Sequence, residues 1–290
     1  MTSSPPSRLR IAAIDFLNPA PLMCNFEHPP RMAQLALRYR IDRMTPSECA
    51  ARLATGRADI GLIPIAALAT TPGLRILPGC VIAAKGRIRS LLLVRRASRP
   101  LAALRTVAAD SASLTTIAHA RILFRHWGNP EVEFQLAAAN LDAMLGRADA
   151  AILIGDPALL ALEERAARFE RTGVELVYHD LAEEWHSMTD LPFVSAVWSA
   201  APGCPLDECI GDDFIHSRDQ GLINIDALAR DWSARIPLSE AAIRSYLSTN
   251  IHYILDEECI AGMKAFFRFA AEAGVLPEYH FCSDGLQTSR

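Results

Sequence analysis

The apolar positions of this chain come mainly in short unbroken runs closed by Gly, Pro or a polar turn, with helix-like segments between them. Arg8 to Phe16 alternates basic and apolar residues and predicts a short buried strand, broken by Pro19 and Pro21. Proline disfavours helix in the residue before it, so Asn18 is expected in a turn at the strand's carboxyl end. Thr45-Pro46-Ser47-Glu48 predicts a helix start, with Thr45 as N-cap, Pro46 at the first helical position and Glu48 completing a capping box. That helix should reach about Thr55 and stop at Gly56. A buried strand, Ile60-Gly61-Leu62-Ile63, follows and is ended by Pro64.

The same pattern recurs further on. Leu53-Ala54-Thr55-Gly56-Arg57-Ala58-Asp59 leads into Ile60 to Pro64, and Ala143-Met144-Leu145-Gly146-Arg147-Ala148-Asp149 leads into Ala150 to Asp156. Each stretch reads as a helix end, Gly-Arg-Ala-Asp, a strand apolar throughout and a turn. Both glycines are expected at the residue just past the helix, in the left-handed conformation. Strands apolar throughout belong to parallel sheets covered on both faces. The repeat therefore predicts two lobes of similar α/β construction. Further strands are expected at Ser90 to Arg95, Arg105 to Ala109 and Phe193 to Trp198, and a helical region from Leu238 to Gly274. Lobe one would comprise residues 8–95 and 199–290, and lobe two residues 96–198, with a ligand cleft between them.

Ligand sites in open α/β sheets lie beyond the carboxyl ends of strands. Asn18, Ser90, the segment Asp110 to Thr116 and the turn Gly155-Asp156-Pro157 fall there. Ser113, Thr115 and Thr116 open a helix expected over Ile117 to Trp127. Its free N–H groups and dipole favour an anion, although simple capping by one hydroxyl accounts for part of the pattern. Asn18 can donate and accept at once, which suits a hydroxyl-bearing ligand, and it also suits an Asx-turn. Ser90 either lines the cleft or faces solvent. Asp156 either bonds backbone within its turn or serves as a base.

Composition acts mainly by exclusion. The 290 residues suit two compact lobes, and 51% hydrophobic with 21% charged residues indicates a folded protein. The formal net charge of -4 and scattered arginines give no footprint for nucleic acid. No apolar run reaches the roughly 18 residues of a membrane helix, and the polar start of the chain shows no signal peptide, so a cytoplasmic location is expected. Seven cysteines without a CxxC pair read as reduced thiols rather than a disulfide or zinc framework. The chain has no GxSxG, HExxH, Gly-rich phosphate loop or Rossmann fingerprint. His119 and His126, seven apart on one helix, read as packing or surface residues. His179, Glu183, Glu184 and His186 form a polar cluster with no further ligand in register, so no metal and no cofactor are expected.

Taken in order, the motifs resemble one family. Phe16-Leu17-Asn18-x-x-Pro21-Leu22 resembles the Tyr-Leu-Asn-x-x-Pro-Leu opening of the chorismate dehydratases of the futalosine route to menaquinone. Gly56-x-Ala58-Asp59-x-Gly61-Leu62-Ile63-Pro64, Ser90, Asp110-x-x-Ser113-x-Thr115-Thr116 and Leu153-Ile154-Gly155-Asp156-x-Ala158-Leu159 are similar to its later blocks. So are Asp180-Leu181-x-x-x-Trp185, Leu191 to Trp198 and Tyr246-Leu247-x-x-Asn250-Ile251-x-Tyr253-x-Leu255. Phe16 stands for the usual Tyr, Thr116 for a frequent Ser, and Ser195 for the usual Phe.

The resemblance implies a two-lobed α/β fold of the type-2 periplasmic-binding-protein (Venus-flytrap) kind. It also implies a lyase that removes water from chorismate to give 3-[(1-carboxyvinyl)oxy]benzoate. Asn18 and Ser90 would then be catalytic, and Ser113, Thr115, Thr116 and Asp156 would bind substrate. Two rivals stand beside it. One is the 1,4-dihydroxy-6-naphthoate synthase of the same route, whose Asn-Asp-Thr opening motif is absent here. The other is a non-catalytic cytosolic binding protein for small carboxylates.

Overall fold

A computed structural model describes residues 8–110 and 114–281. Its strands are β1 (Leu9–Ile14), β2 (Tyr39–Met44), β3 (Ile60–Pro64), β4 (Arg75–Ala84), β5 (Leu91–Arg96) and β6 (Thr106–Asp110). They continue as β7 (Glu133–Ala137), β8 (Ala150–Ile154), β9 (Leu176–Asp180), β10 (Phe193–Ala200) and β11 (His252–Ile254). They form two mixed sheets, in the orders β11-β4-β10-β3-β1-β2 and β7-β6-β8-β5-β9.

The repeat in the sequence is a repeat in topology. In the first sheet β2, β1 and β3 run parallel and β10 lies antiparallel to β3. In the second, β7, β6 and β8 run parallel and β5 lies antiparallel to β8. The two Gly-Arg-Ala-Asp aspartates do equivalent work. Asp59 accepts the Arg10 N–H at 2.7 Å, tying the start of β3 to β1, and Asp149 accepts the Arg105 N–H at 2.9 Å, tying the start of β8 to β6. Each carboxylate uses a backbone donor that the strand ladder leaves unmet at its entry.

The two glycines are not equivalent, contrary to expectation. Gly56 follows the helix Pro46–Ala54 at φ 67°, whereas Gly146 lies inside the helix Leu141–Arg147. That second helix exits through Ala148 in extended conformation and needs no left-handed residue. The capping box at Thr45 forms as the sequence indicates.

Strand membership also departs from the expected lobe boundaries. β5, expected in lobe one, pairs with β8 and β9 in the second sheet, and β10, expected in lobe two, pairs with β3 and β4 in the first. The chain therefore crosses before β5 and before β10, in residues 85–90 and 181–192, and each sheet gains a central strand hydrogen-bonded on both edges. The region from Leu238 to Gly274 is likewise not one helical stretch. After the helix Glu240–Ser245 and a wide turn at Tyr246–Asn250, β11 pairs with β4, and a new helix runs from Glu257 to Glu272. Ile251, Tyr253 and Leu255 are buried while Ile254 is exposed, a period of two that favours a strand over a helix. Asp256 then caps the last helix by accepting the Cys259 N–H at 2.8 Å.

One apolar core runs through both sheets, and a smaller one fills the outer face of the second. No helix among the described residues is long and apolar enough to cross a membrane. Behind the turn that carries Asn18, the helix Glu208–Ile223 packs on Pro21–Met23 and Cys24–Glu27. A Cβ at Gly221 would lie 2.1 Å from the Pro21 carbonyl oxygen, so only glycine permits this approach. Gly221→Ala should therefore destabilise the protein by at least about 2 kcal/mol and lower its Tm by several degrees. An unchanged melting curve would show that the helix does not clamp this turn.

Candidate functional site

A cleft of about 500 Å³, counted to its open mouth, lies where the two sheets meet. Its floor is made by the carboxyl ends of β1, β3 and β8, where side chains leave the parallel ladder and face one another. Ile14, Phe16, Ile82, Ile88, Leu91 and Ile154 give an apolar wall. Asn18, Ser90, Thr115, Thr116 and Ser195 supply its polar side chains. Among the described lining residues none is titratable.

Asn18 sits in a turn closed by the main chain, Ala20 N–H to Leu17 O at 3.0 Å. Its side chain makes no Asx-turn bond, and its Oδ1 has no partner. The Asn18 carbonyl oxygen accepts the buried Tyr253 hydroxyl at 2.9 Å, which fixes the backbone of the turn. Ser90 is buried rather than solvent-facing, and its Oγ accepts the Tyr246 hydroxyl at 2.8 Å. The structure thus brings Asn18, Ser90, Thr115 and Thr116 to one cleft.

The anticipated hydroxyl cluster is only partly tested by geometry. Ser113 lies outside the described residues. Thr115 and Thr116 occupy the first turn of the helix Leu114–His126. Thr115 Oγ1 accepts the Ala66 N–H from the other lobe at 3.0 Å. Ser195 donates to the Ile82 carbonyl at 3.0 Å, at an irregularity in the pairing of β10 with β4.

Asp156, expected among the substrate contacts, is turned elsewhere. Its carboxylate accepts the Leu17 N–H at 2.9 Å and so latches the Asn18 turn to the helix Gly155–Glu163. Gly155, not Asp156, lines the cleft. Gly155 has φ 60°, and a Cβ there would lie 2.7 Å from the Phe16 ring, so the two lobes touch at a position with room only for hydrogen. Burial is the main cause that raises the Asp156 pKa from its ordinary 3.8 to about 6; the Leu17 N–H opposes the rise, Asp15 adds to it and Arg235 opposes it.

Two residues that the sequence reading quoted only as motif positions, without a role, shape the site. Asp180 ends β9 and is buried. Its carboxylate accepts Ala182 N–H and Glu183 N–H, capping the helix Leu181–Thr189, and also Ile88 N–H and Arg89 N–H from the other crossing. Arg89 is thereby held at φ 65°, and the next residue, Ser90, is delivered to the cleft. The pattern Asp180-Leu181-Ala182-Glu183 carried a local signal, an N-cap with Glu three residues on. Tyr246 had no such signal outside the family motif, because its partner is 156 residues away.

The histidines are packing or surface groups, as their spacing suggested. His119 is fully buried, stacked on Phe193 at 4.1 Å between ring centres, and burial holds its pKa down at about 3, so it is neutral. His126 is exposed. His179 is held between Arg95 Nε at 3.0 Å and Glu184 Oε1 at 3.0 Å. A different group, His252, Asp256 and Cys259, has its potential ligand atoms within 4.8 Å of one another. There the Asp256 carboxylate already receives Lys85 Nζ at 2.8 Å and lies 2.9 Å from His252 Nε2. All six described cysteines are free.

Comparison with known proteins agrees with this architecture. A family model described as menaquinone biosynthesis matches residues 9–272. A chorismate dehydratase of Thermus thermophilus is 29% identical over 249 residues, covering 82% of this chain and 88% of its own. A Candida albicans protein described as having the generic periplasmic binding protein fold superposes with a TM-score of 0.65 at 15% identity, over 94% of this chain and 92% of its own. The alkanesulfonate-binding protein SsuA of Xanthomonas axonopodis pv. citri, bound to MOPS, gives 0.67 at 15% identity, over 98% and 99%. The fold is that of the periplasmic binding proteins, as the repeat implied.

Two predictions follow from the groups around the cleft. The raised pKa of Asp156 means that its protonated form is favoured by folding: that stability is complete below about pH 3.8 and is lost as pH rises through about 6. Asp156→Asn keeps an acceptor for Leu17 N–H without the charge, so its Tm relative to wild type should be higher at pH 8 than at pH 4. Equal differences at the two pH values would contradict a raised pKa. Asp180→Ala strands four backbone donors and should cost about 3 kcal/mol or more in denaturant unfolding, whereas a loss below about 1 kcal/mol would mean that the crossings hold without it.

Proposed function

This chain belongs to the menaquinone biosynthesis family, and on that premise we propose that it is a chorismate dehydratase, a hydro-lyase forming 3-[(1-carboxyvinyl)oxy]benzoate and water. The observation that carries the mechanistic part is the wall of the cleft, with neutral donors and acceptors and no titratable side chain among the described residues. A general base must lie within hydrogen-bond reach of the proton it takes. With none in the wall, the substrate itself supplies it.

Chorismate carries an enolpyruvyl carboxylate next to the ring carbon that must lose its hydrogen. That carboxylate takes the proton. The C–H electrons form the third ring double bond as the neighbouring C–O bond breaks, and the departing hydroxide takes the proton from that carboxyl group, leaving as water and restoring the carboxylate. Aromatisation drives the step. Asn18 and Ser90 hold the ring and the leaving hydroxyl, and Thr115 and Thr116, with Ser113, hold a carboxylate at the start of their helix. The apolar wall of the cleft suits a flat ring. Contact between Phe16 and Gly155 and the latch from Leu17 to Asp156 hold the two sides of the cleft together and fix the reacting geometry.

The purified protein mixed with chorismate should release the aromatic product, followed by chromatography; binding without turnover would favour a carboxylate-binding protein instead. Asn18→Ala should lower kcat about 100-fold while chorismate affinity changes only a few-fold. Unchanged turnover in that variant would remove Asn18 from the chemistry. Asp156→Asn should stay active, and loss of activity with folding and binding intact would identify a protein base.

A further inference from the structure

Behind the cleft wall lies a hydrogen-bonded chain that the dehydration chemistry described above does not use. Tyr246 is 1% exposed and opens the wide turn Tyr246–Asn250. Its hydroxyl donates to Ser90 Oγ at 2.8 Å. The Asn250 amide donates to the Arg87 carbonyl at 3.0 Å, anchoring the far end of the turn to the crossing that carries Ser90.

The direction of the chain follows from its protons. A hydroxyl has one proton and two acceptor sites. The phenol proton goes to Ser90, and the Ser90 proton is left for another acceptor. Ser90 lines the cleft, so the wall presents this hydroxyl as a donor to a bound oxygen.

We propose that Tyr246 is a positioning residue of the reaction: by donating to Ser90 it sets the direction of the serine's own hydrogen bond, so that Ser90 donates to the oxygen of the departing hydroxyl. This rests on the dehydration reading. As the C–O bond breaks its electron pair stays on oxygen, and a Ser90 proton polarised by the Tyr246 hydroxyl stabilises that charge more than an isolated serine does. Tyr246 touches no substrate and acts only through Ser90.

Tyr246→Phe removes the hydroxyl and keeps the ring in the core. It should lower kcat about tenfold with KM within about threefold of wild type. In a Ser90→Ala background the same change should have no further effect on kcat. Losses that multiply in the double variant overturn the proposal, as does wild-type kcat in Tyr246→Phe. A merely structural tyrosine would lower Tm and give the same kcat loss in both backgrounds. Chorismate bound but not turned over by the wild-type chain would sink the dehydration reading instead. Chorismate affinity then decides the relay in the same cycle: a loss confined to the Ser90 background supports it, and equal losses in both overturn it.

Discussion

The structure depends on one buried carboxylate at the place where the chain crosses between sheets. Asp180 accepts four backbone N–H groups, two from the helix it caps and two from the crossing 92 and 91 residues earlier in sequence. Burial raises its pKa and the backbone donors oppose that rise, so the cost of hiding the charge is met by main-chain dipoles. With this knot in place, β5 leaves one crossing to complete the second sheet and β10 leaves the other to complete the first. The earlier crossing borders the cleft through Ile88 and Ser90, which is how Ser90 comes to share the cleft with Asn18.

The second theme is the exclusion of charge from the cleft. Ion pairs lie around it, such as Arg89 with Glu163 at 2.5 Å and Arg235 with Asp15 at 3.8 Å, but the described wall is neutral. In an apolar enclosure, fixed amide and hydroxyl dipoles act more strongly than they would in water. Asp156 shows how narrowly this is arranged. It is next to a lining residue, yet its carboxylate faces the Leu17 N–H and serves the closure of the lobes.

Much of the candidate site was legible from local pattern. Strand ends marked by proline or glycine pointed to Asn18, Ser90 and the Asp156 turn, and a run of hydroxyls at a helix start pointed to Thr115 and Thr116. Four of these five share the cleft. The errors have a common origin. Gly146 has the same neighbours in sequence as Gly56 but a different exit from its helix. The segment from Leu238 to Gly274 has helical composition, and the strand within it forms because β4 offers a free edge.

The sequence by itself determined the repeated α/β unit, the Thr45 cap, the aspartates that enter β3 and β8, and the residues at the strand ends, because periodicity, capping and strand entry act over a few residues. The tertiary structure alone decided which sheet β5 and β10 complete, that Asp156 latches Leu17 at a separation of 139 residues, and that Tyr246 joins Ser90 at a separation of 156. Such pairings depend on where the chain crosses between the sheets. No local pattern encodes that crossing, because a polar group gives the same signal whatever distant partner satisfies it.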